Sequence, residues 1–311
     1  MKKGWLFLAT VAAVGLLAAC GTQQDQDAAK NDKLQVMTTF YPMYEFTKEV
    51  VGDKGDVELL IPAGTEPHDY EPSAKDLAKI AESDVFVYNS PELETWVDNL
   101  TDTVDDKKTT VIEASKDISL MEGSEEEGEE GHDHDHSHEL DPHVWLDPVL
   151  AIKEVETIRD DLSKKYPEDK EVFDKNAEAY IKKLQDLDQQ YQTAFADASN
   201  KTFVTQHAAF GYLAKQYGLT QEAIAGVSPD QEPSPARLSE LKHYVDDNHV
   251  SVIYFEENAS SKVAETLSQE TGVKLAVLNP LESLTDQQIK DGESYLTVME
   301  ENLNALKESI K

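Results

Sequence analysis

Short apolar runs alternate along the chain with segments whose apolar positions recur every three or four residues. The runs at 34–40, 57–61, 85–88 and 109–112 are rich in β-branched and aromatic residues and predict strands. A second series follows at 202–205, 251–255 and 273–278, with helical patterns such as 74–81 and 260–271 lying between strands. This alternation predicts parallel strands joined by helical crossovers. Between the two series lies a long helical pattern, 167–200. Its apolar positions are Phe173, Ala177, Tyr180, Leu184, Leu187, Tyr191 and Ala194, in steps of 4, 3, 4, 3, 4 and 3. Pro167, Glu168 and Asp169 suit its N-terminus. About 30 residues at ~1.5 Å each would make a helix about 45 Å long, more than one lobe needs for packing. The predicted fold class is therefore α/β: two lobes with parallel-type sheets flanked by helices, joined by one long rigid helix.

The N-terminus departs from this pattern. Lys2 and Lys3 precede an apolar stretch from Trp5 to Leu17, and Leu17-Ala18-Ala19-Cys20 follows. The stretch is too short and wrongly flanked for a membrane span and predicts a secretory signal over 1–19. Cys20 is the chain's only cysteine. With Gly21 after it, this segment resembles the lipobox of bacterial lipoproteins, which implies cleavage before Cys20 and lipidation of its thiol, rather than a soluble secreted chain with a leftover thiol. Two acyl chains on that thiol would anchor stably where one holds marginally. Residues 20–33 are polar and aperiodic and read as a tether. The expected body comprises an N-terminal lobe (34–165), the linking helix (166–200) and a C-terminal lobe (201–311).

Charge narrows the function. The 311 residues carry 62 Asp+Glu against 28 Lys+Arg, a formal −34, and the only arginines are Arg159 and Arg237. Such a chain is a poor ligand for phosphate backbones, so no nucleic-acid partner is expected. Part of this charge is local. The stretch 122–141 holds ten acidic residues, four histidines (His132, His134, His136, His138) and no lysine or arginine. It predicts a loop inside the N-terminal lobe, 122–140, able to offer overlapping weak cation sites. The bland alternative is a solvated spacer.

The other histidines are His68, His143, His207, His243 and His249. His68 lies in the proline-rich PAGTEPHDYEPS, His143 in DPHVWLDP, and His207 directly after the strand at 202–205. Ligands of α/β sheets gather beyond the carboxyl ends of strands. Separations of 75 and 64 residues form no local zinc signature, so this pattern alone leaves structural and ligating roles both open. His243 and His249 read as surface or helix-end residues, and Trp96 and Trp145 as packing, with Trp145 placed to shield a site near His143. Asp141 and Asp147 flank His143; either could orient its ring.

Six segments carry a resemblance across nearly the whole mature chain: TTFYPMYEFTKEVVGD (38–53), GTEPHDYEPSAKDLAKI (64–80), DPHVWLDP (141–148), TQHAAFGYLAKQYGL (205–219), SVIYFEENASS (251–261) and LNPLESLT (278–285). The chain resembles the zinc-specific solute-binding lipoproteins of bacterial ABC importers, in the zinc/manganese metal-binding class. The resemblance implies metal ligation by His68, His143 and His207, with a carboxylate after the last strand, Glu282; Asp286 and Glu256 are the alternatives, and Glu256 could instead be a solvated loop acid or a partner behind a ligand. Three imidazoles and one carboxylate suit Zn2+ near tetrahedral geometry, whereas Mn2+ favours more oxygen, and manganese importers of the class usually offer two histidines and two carboxylates. It further implies a membrane-anchored, extracytoplasmic monomer that hands zinc to ABC permease subunits and catalyses nothing. The acidic His loop would serve as an auxiliary metal-capture element. A surface adhesin on the same fold is the main alternative. A zinc hydrolase is less consistent, since a fourth protein ligand closes the site and no HExxH pair occurs.

Overall fold

The computed structural model describes residues 33–101, 104–105, 107–123, 140–229, 233–257 and 260–311. The expected signal at 1–19, Cys20, the tether up to residue 32, and His132, His134, His136 and His138 lie outside the described residues. In the first half, β1 (Leu34–Thr38), α1 (Tyr41–Val51), β2 (Gly55–Leu59), α2 (Ala74–Glu82), β3 (Val85–Tyr88), α3 (Val97–Thr101) and β4 (Thr110–Glu113) follow one another. A small antiparallel pair, β5 (Met121–Glu122) with β6 (Leu140–Asp141), precedes α4 (Pro148–Lys165) and α5 (Lys170–Phe195). The second half runs β7 (Thr202–Thr205), α6 (Gly211–Tyr217), β8 (Thr220–Ala223), α7 (Pro235–Asp247), β9 (Val252–Phe255), α8 (Lys262–Thr271), β10 (Lys274–Val277), α9 (Asp286–Asp291) and α10 (Tyr295–Leu306).

The two main sheets are wholly parallel and have one topology. The first is ordered β2-β1-β3-β4 and the second β10-β9-β7-β8, which is the same order read from its other edge. Each sheet therefore reverses its strand order beside its first strand, between β1 and β3 and between β7 and β9. That reversal opens a crevice at the carboxyl ends. Central strand β3, VFVY, is buried at every position, as a strand covered on both faces should be. Edge strand β2 alternates in exposure. Edge strand β8, TQEA, is polar enough to carry no apolar strand signal, and the sequence pattern misses it.

The long helical pattern is α5, whose buried face is Phe173, Ala177, Tyr180, Leu184, Leu187, Tyr191 and Phe195. Six of the seven expected positions are buried. At the C-terminal end Phe195 replaces the half-buried Ala194, because the larger ring lies close enough in angle to take the core position. Helix α4 packs against α5 and was hidden in the sequence only by its short apolar list, Ala151, Val155, Ile158 and Leu162. One apolar core is continuous from Val36 and Phe46, across Leu184 and Tyr191 of α5, to Phe203, Tyr254 and Leu303. Lys33–Lys311 thus form one compact unit despite their two sheets. Among the described residues no helix is long and apolar enough to cross a membrane.

Candidate metal centre

Four segments from the two halves converge at the strand ends. After β2 the chain folds over itself: Ile61 N–H donates to Thr39 O, Thr65 N–H to Pro62 O and Tyr70 N–H to Pro67 O. These turns carry His68, whose backbone N–H donates to Glu66 Oε1 (3.2 Å). Its side chain is 9% exposed. His143 begins the 3-10 turn Val144–Leu146 and is fully buried. Asp141 settles its ring by accepting from both the backbone N–H of His143 (2.9 Å) and Nδ1 (2.8 Å). Asp147, the other flanking acid, instead caps α4 by accepting from Val149 N–H (2.9 Å).

His207 leaves β7 at its carboxyl end, also fully buried. Thr205 Oγ1 and Gln221 Nε2 both donate to its carbonyl. Its Nδ1 lies 2.5 Å from Oε1 of Glu256, the residue that follows β9 on the other side of the second sheet's crevice. Glu282 follows β10. The turn that carries it is built by Asn279, whose Oδ1 accepts from Leu281 N–H (2.8 Å) and whose backbone is clasped at both polar groups by Asn302 of α10. Leu281 has φ 59°, unusual for a bulky residue and costing roughly 1–3 kcal/mol. The turn tolerates it because the Leu281 side chain is wholly buried and the backbone leading into it is held by Asn279 and Asn302.

The geometry that results is specific. His68 Nε2 lies 3.3 Å from His143 Nε2 and 3.4 Å from Glu282 Oε1. His143 Nε2 lies 3.1 Å from Glu282 Oε1 and 3.3 Å from His207 Nε2. His207 Nε2 lies 3.2 Å from Glu282 Oε1. A tetrahedron with arms of about 2.0–2.1 Å, the usual zinc–nitrogen and zinc–oxygen lengths, has edges of about 3.3–3.4 Å. These five edges span 3.1 to 3.4 Å. Carboxylates at both Nδ1 positions hold the N–H there, which leaves the Nε2 lone pairs of His143 and His207 turned toward one another and toward Glu282. Converging lone pairs repel unless a cation or a proton sits among them. The group could hold a metal ion.

The electrostatics agree. Burial favours a neutral His207, yet Glu256 and Glu282 beside it hold its pKa well above the ordinary imidazole range. Burial likewise opposes charge on Glu282, but His207 and hydrogen bonds from the three rings pull it well below the usual carboxylate range. His143 is raised too, burial being outweighed by Asp141 and Glu282. Burial and the Glu282 carboxylate push nearby Glu66 up to about 9.

The sequence points to these four residues, leaves Asp141 and Asp147 both open as the acid behind His143, and offers Glu256 as a partner behind a ring; the fold puts Asp141 on His143 and Glu256 on His207. A carboxylate at the carboxyl end of a strand, as at Glu256, was the available signal. His243 and His249 are exposed on and beyond α7, as expected.

Two parallel-sheet lobes meeting over a cluster of three histidines and one carboxylate present a donor set that could hold a metal ion. Comparison with known proteins gives the family: residues 36–309 match the family described as zinc-uptake complex component A, periplasmic, and the chain belongs to it. The zinc-binding lipoprotein AdcA of Streptococcus pneumoniae is 58% identical over 315 residues; the match takes in 99% of this chain but 61% of the relative's length. The chain thus spans less than two thirds of that relative. The high-affinity zinc uptake system protein ZnuA of Bacillus subtilis is 55% identical, with 100% of this chain and 99% of the relative covered. Among solved structures, the Zn(II)-bound ZnuA-like domain of pneumococcal AdcA superposes with a TM-score of 0.77 over 89% of this chain and 98% of that one, at 58% identity. The laminin-binding protein Lmb of Streptococcus agalactiae, described as bifunctional with adhesin and metal transporting activity, gives 0.79 at 39% identity, covering 90% and 100%.

Proposed function

We propose that this protein captures Zn2+ outside the cytoplasmic membrane and delivers it to an ABC permease. His68, His143, His207 and Glu282 are the proposed ligands. One observation carries the reading: five of the six separations among four donor atoms from four separate segments lie close to those a tetrahedral ion of zinc's size requires, with the two fully buried rings oriented by carboxylates. The donor set favours Zn2+ over Mn2+. The cycle is binding and release with no covalent chemistry, because a fourth protein ligand occupies the position a hydrolase would leave to water. Anchoring through acylated Cys20, action as a monomer, division into lobes 34–165 and 201–311 about a linking helix at 166–200, and metal capture by His132, His134, His136 and His138 complete the proposal. The lipoprotein named among the relatives supports the anchor. The core that runs unbroken through α5 supports small movements between lobes during release, in place of wide hinge closure.

The test is metal stoichiometry and affinity of the purified protein. One tightly held Zn2+ per chain is expected, with loss of that ion in His207→Ala and no hydrolytic turnover; turnover, or undiminished binding in His207→Ala, sinks the reading. Removing residues 122–139 and following zinc-limited growth tests the loop, and unchanged growth at every zinc level would remove it from the mechanism. The likeness to Lmb supports a second reading, adhesion. Host-matrix binding that persists in His207→Ala would favour it.

A further inference from the structure

Trp145 stands two residues after His143 and touches both halves of the site. Its side chain is wholly buried. The indole Nε1–H donates to the carbonyl of Pro280 (2.8 Å), two residues before Glu282. Its own carbonyl accepts from the Tyr295 hydroxyl at the start of α10 (2.6 Å). The ring lies against the His143 imidazole, with centroids 5.1 Å apart, and makes a T-shaped contact with Phe40 at 4.8 Å. Thus one rigid side chain joins the turn that carries His143 to the turn that carries Glu282. Those ligands are 139 residues apart in sequence and form the shortest of the five edges given above, 3.1 Å.

The receiving turn is itself stiff. Asn302 clasps Asn279, and Leu281 holds a left-handed backbone conformation between the bonded carbonyl and the ligand. A shift of Pro280 would therefore be passed on to Glu282. Loss of the indole N–H would leave the Pro280 carbonyl without its buried partner, and that turn would be free to move away from His143. The spacing matters because an ion whose bonds are longer by about 0.2 Å needs edges longer by about 0.3 Å in a tetrahedron.

We propose that Trp145 is a positioning residue for the metal site: its N–H···O=C bond to Pro280 sets the His143–Glu282 separation and so the size of cation the site accepts. This rests on the ligand reading above. Packing alone would make Trp145 replaceable by any ring of suitable bulk; the proposal makes the N–H itself matter.

The test compares Trp145→Phe with wild type, using Zn2+ and the larger Cd2+ in chelator competition. Co2+ absorption serves as a reporter of tetrahedral geometry, and hydrogen exchange of the 281–283 amides is followed in metal-free protein. The expected result is a zinc affinity lower by about tenfold, the scale of outer-sphere changes. The cadmium loss should be smaller, the Co2+ bands weaker, and exchange faster in that turn before any metal is added. An unchanged zinc-to-cadmium ratio together with unchanged Co2+ bands overturns the proposal, even if the variant melts earlier. Should Trp145→Phe fail to fold, a benzothienylalanine at 145, which keeps the bicyclic shape and lacks the N–H, gives the same readouts. Wild type and His207→Ala are measured alongside. If wild type holds no zinc, the ligand reading falls; if it does, and the ratio and the Co2+ bands both stay fixed in the variant, only the role of Trp145 falls.

Discussion

Glu256→Ala isolates what an orienting carboxylate is worth in this fold. The His207 ring is fully buried, and its Nδ1 has Glu256 Oε1 at 2.5 Å as its hydrogen-bond partner. Truncation to alanine strands that N–H away from water, and a buried unsatisfied donor costs about 1–3 kcal/mol. The ring can escape the cost by rotating or changing tautomer, but either move takes the Nε2 lone pair off its direction toward Glu282, 3.2 Å away. The penalty therefore falls on metal binding. Each 1.4 kcal/mol is tenfold, so zinc affinity should drop roughly 10- to 100-fold. Competition against a chelator of known affinity at fixed pH measures it. In a His207→Ala background the same truncation should change little in whatever weak zinc affinity remains, because the group it acts through is gone. Affinity within twofold of wild type, or an equal loss in both backgrounds, would refute the argument that Glu256 works through the His207 ring.

Other outcomes follow from the same geometry. Zinc binding should release protons near neutral pH, since Glu256 and Glu282 hold protonated His207 well above the ordinary imidazole range; affinity then falls as pH falls, and the calorimetric heat depends on the buffer's ionisation enthalpy. A buffer-independent heat would contradict this. Glu154 of α4 is wholly buried with both carboxylate oxygens unpartnered, and burial raises its pKa well above 4.5. Its stabilising contribution is complete below the unfolded value and is lost as pH rises through the folded one. Metal-free Glu154→Gln should therefore gain in Tm relative to wild type between pH 5 and pH 8. Buried Glu94, pushed up to about 7 by burial, titrates in the same direction across roughly pH 4.5 to 7. Leu187→Ala, in the middle of the buried face of α5, should cost about 2–5 kcal/mol in denaturant unfolding of the whole body, because the core is continuous through that helix. Two separate unfolding transitions would argue against that continuity. Zinc at about a thousand times its Kd should stabilise the fold by about 4 kcal/mol.

Periodicity along the chain determined the strands, the long helix and the parallel architecture, because those depend on local spacing of apolar groups. Even the near miss at the end of α5 is local, a choice between adjacent Ala194 and Phe195. Polar β8 and the short-listed face of α4 escaped because their placement rests on partners. The candidate ligands were legible through proline-fixed turns, strand ends and the family resemblance. Only tertiary structure brings His68, His143, His207 and Glu282, separated by 75, 64 and 75 residues, to within 4.8 Å of one another. It also decided that Asp141 orients a ring while Asp147 caps a helix, that Glu256 backs His207, and that the Trp145 indole meets Pro280. An acid two residues before a histidine and one four after it look alike in a string of letters. Hydrogen bonds need direction as well as proximity, and direction is fixed only when the strands and turns that carry both partners have packed.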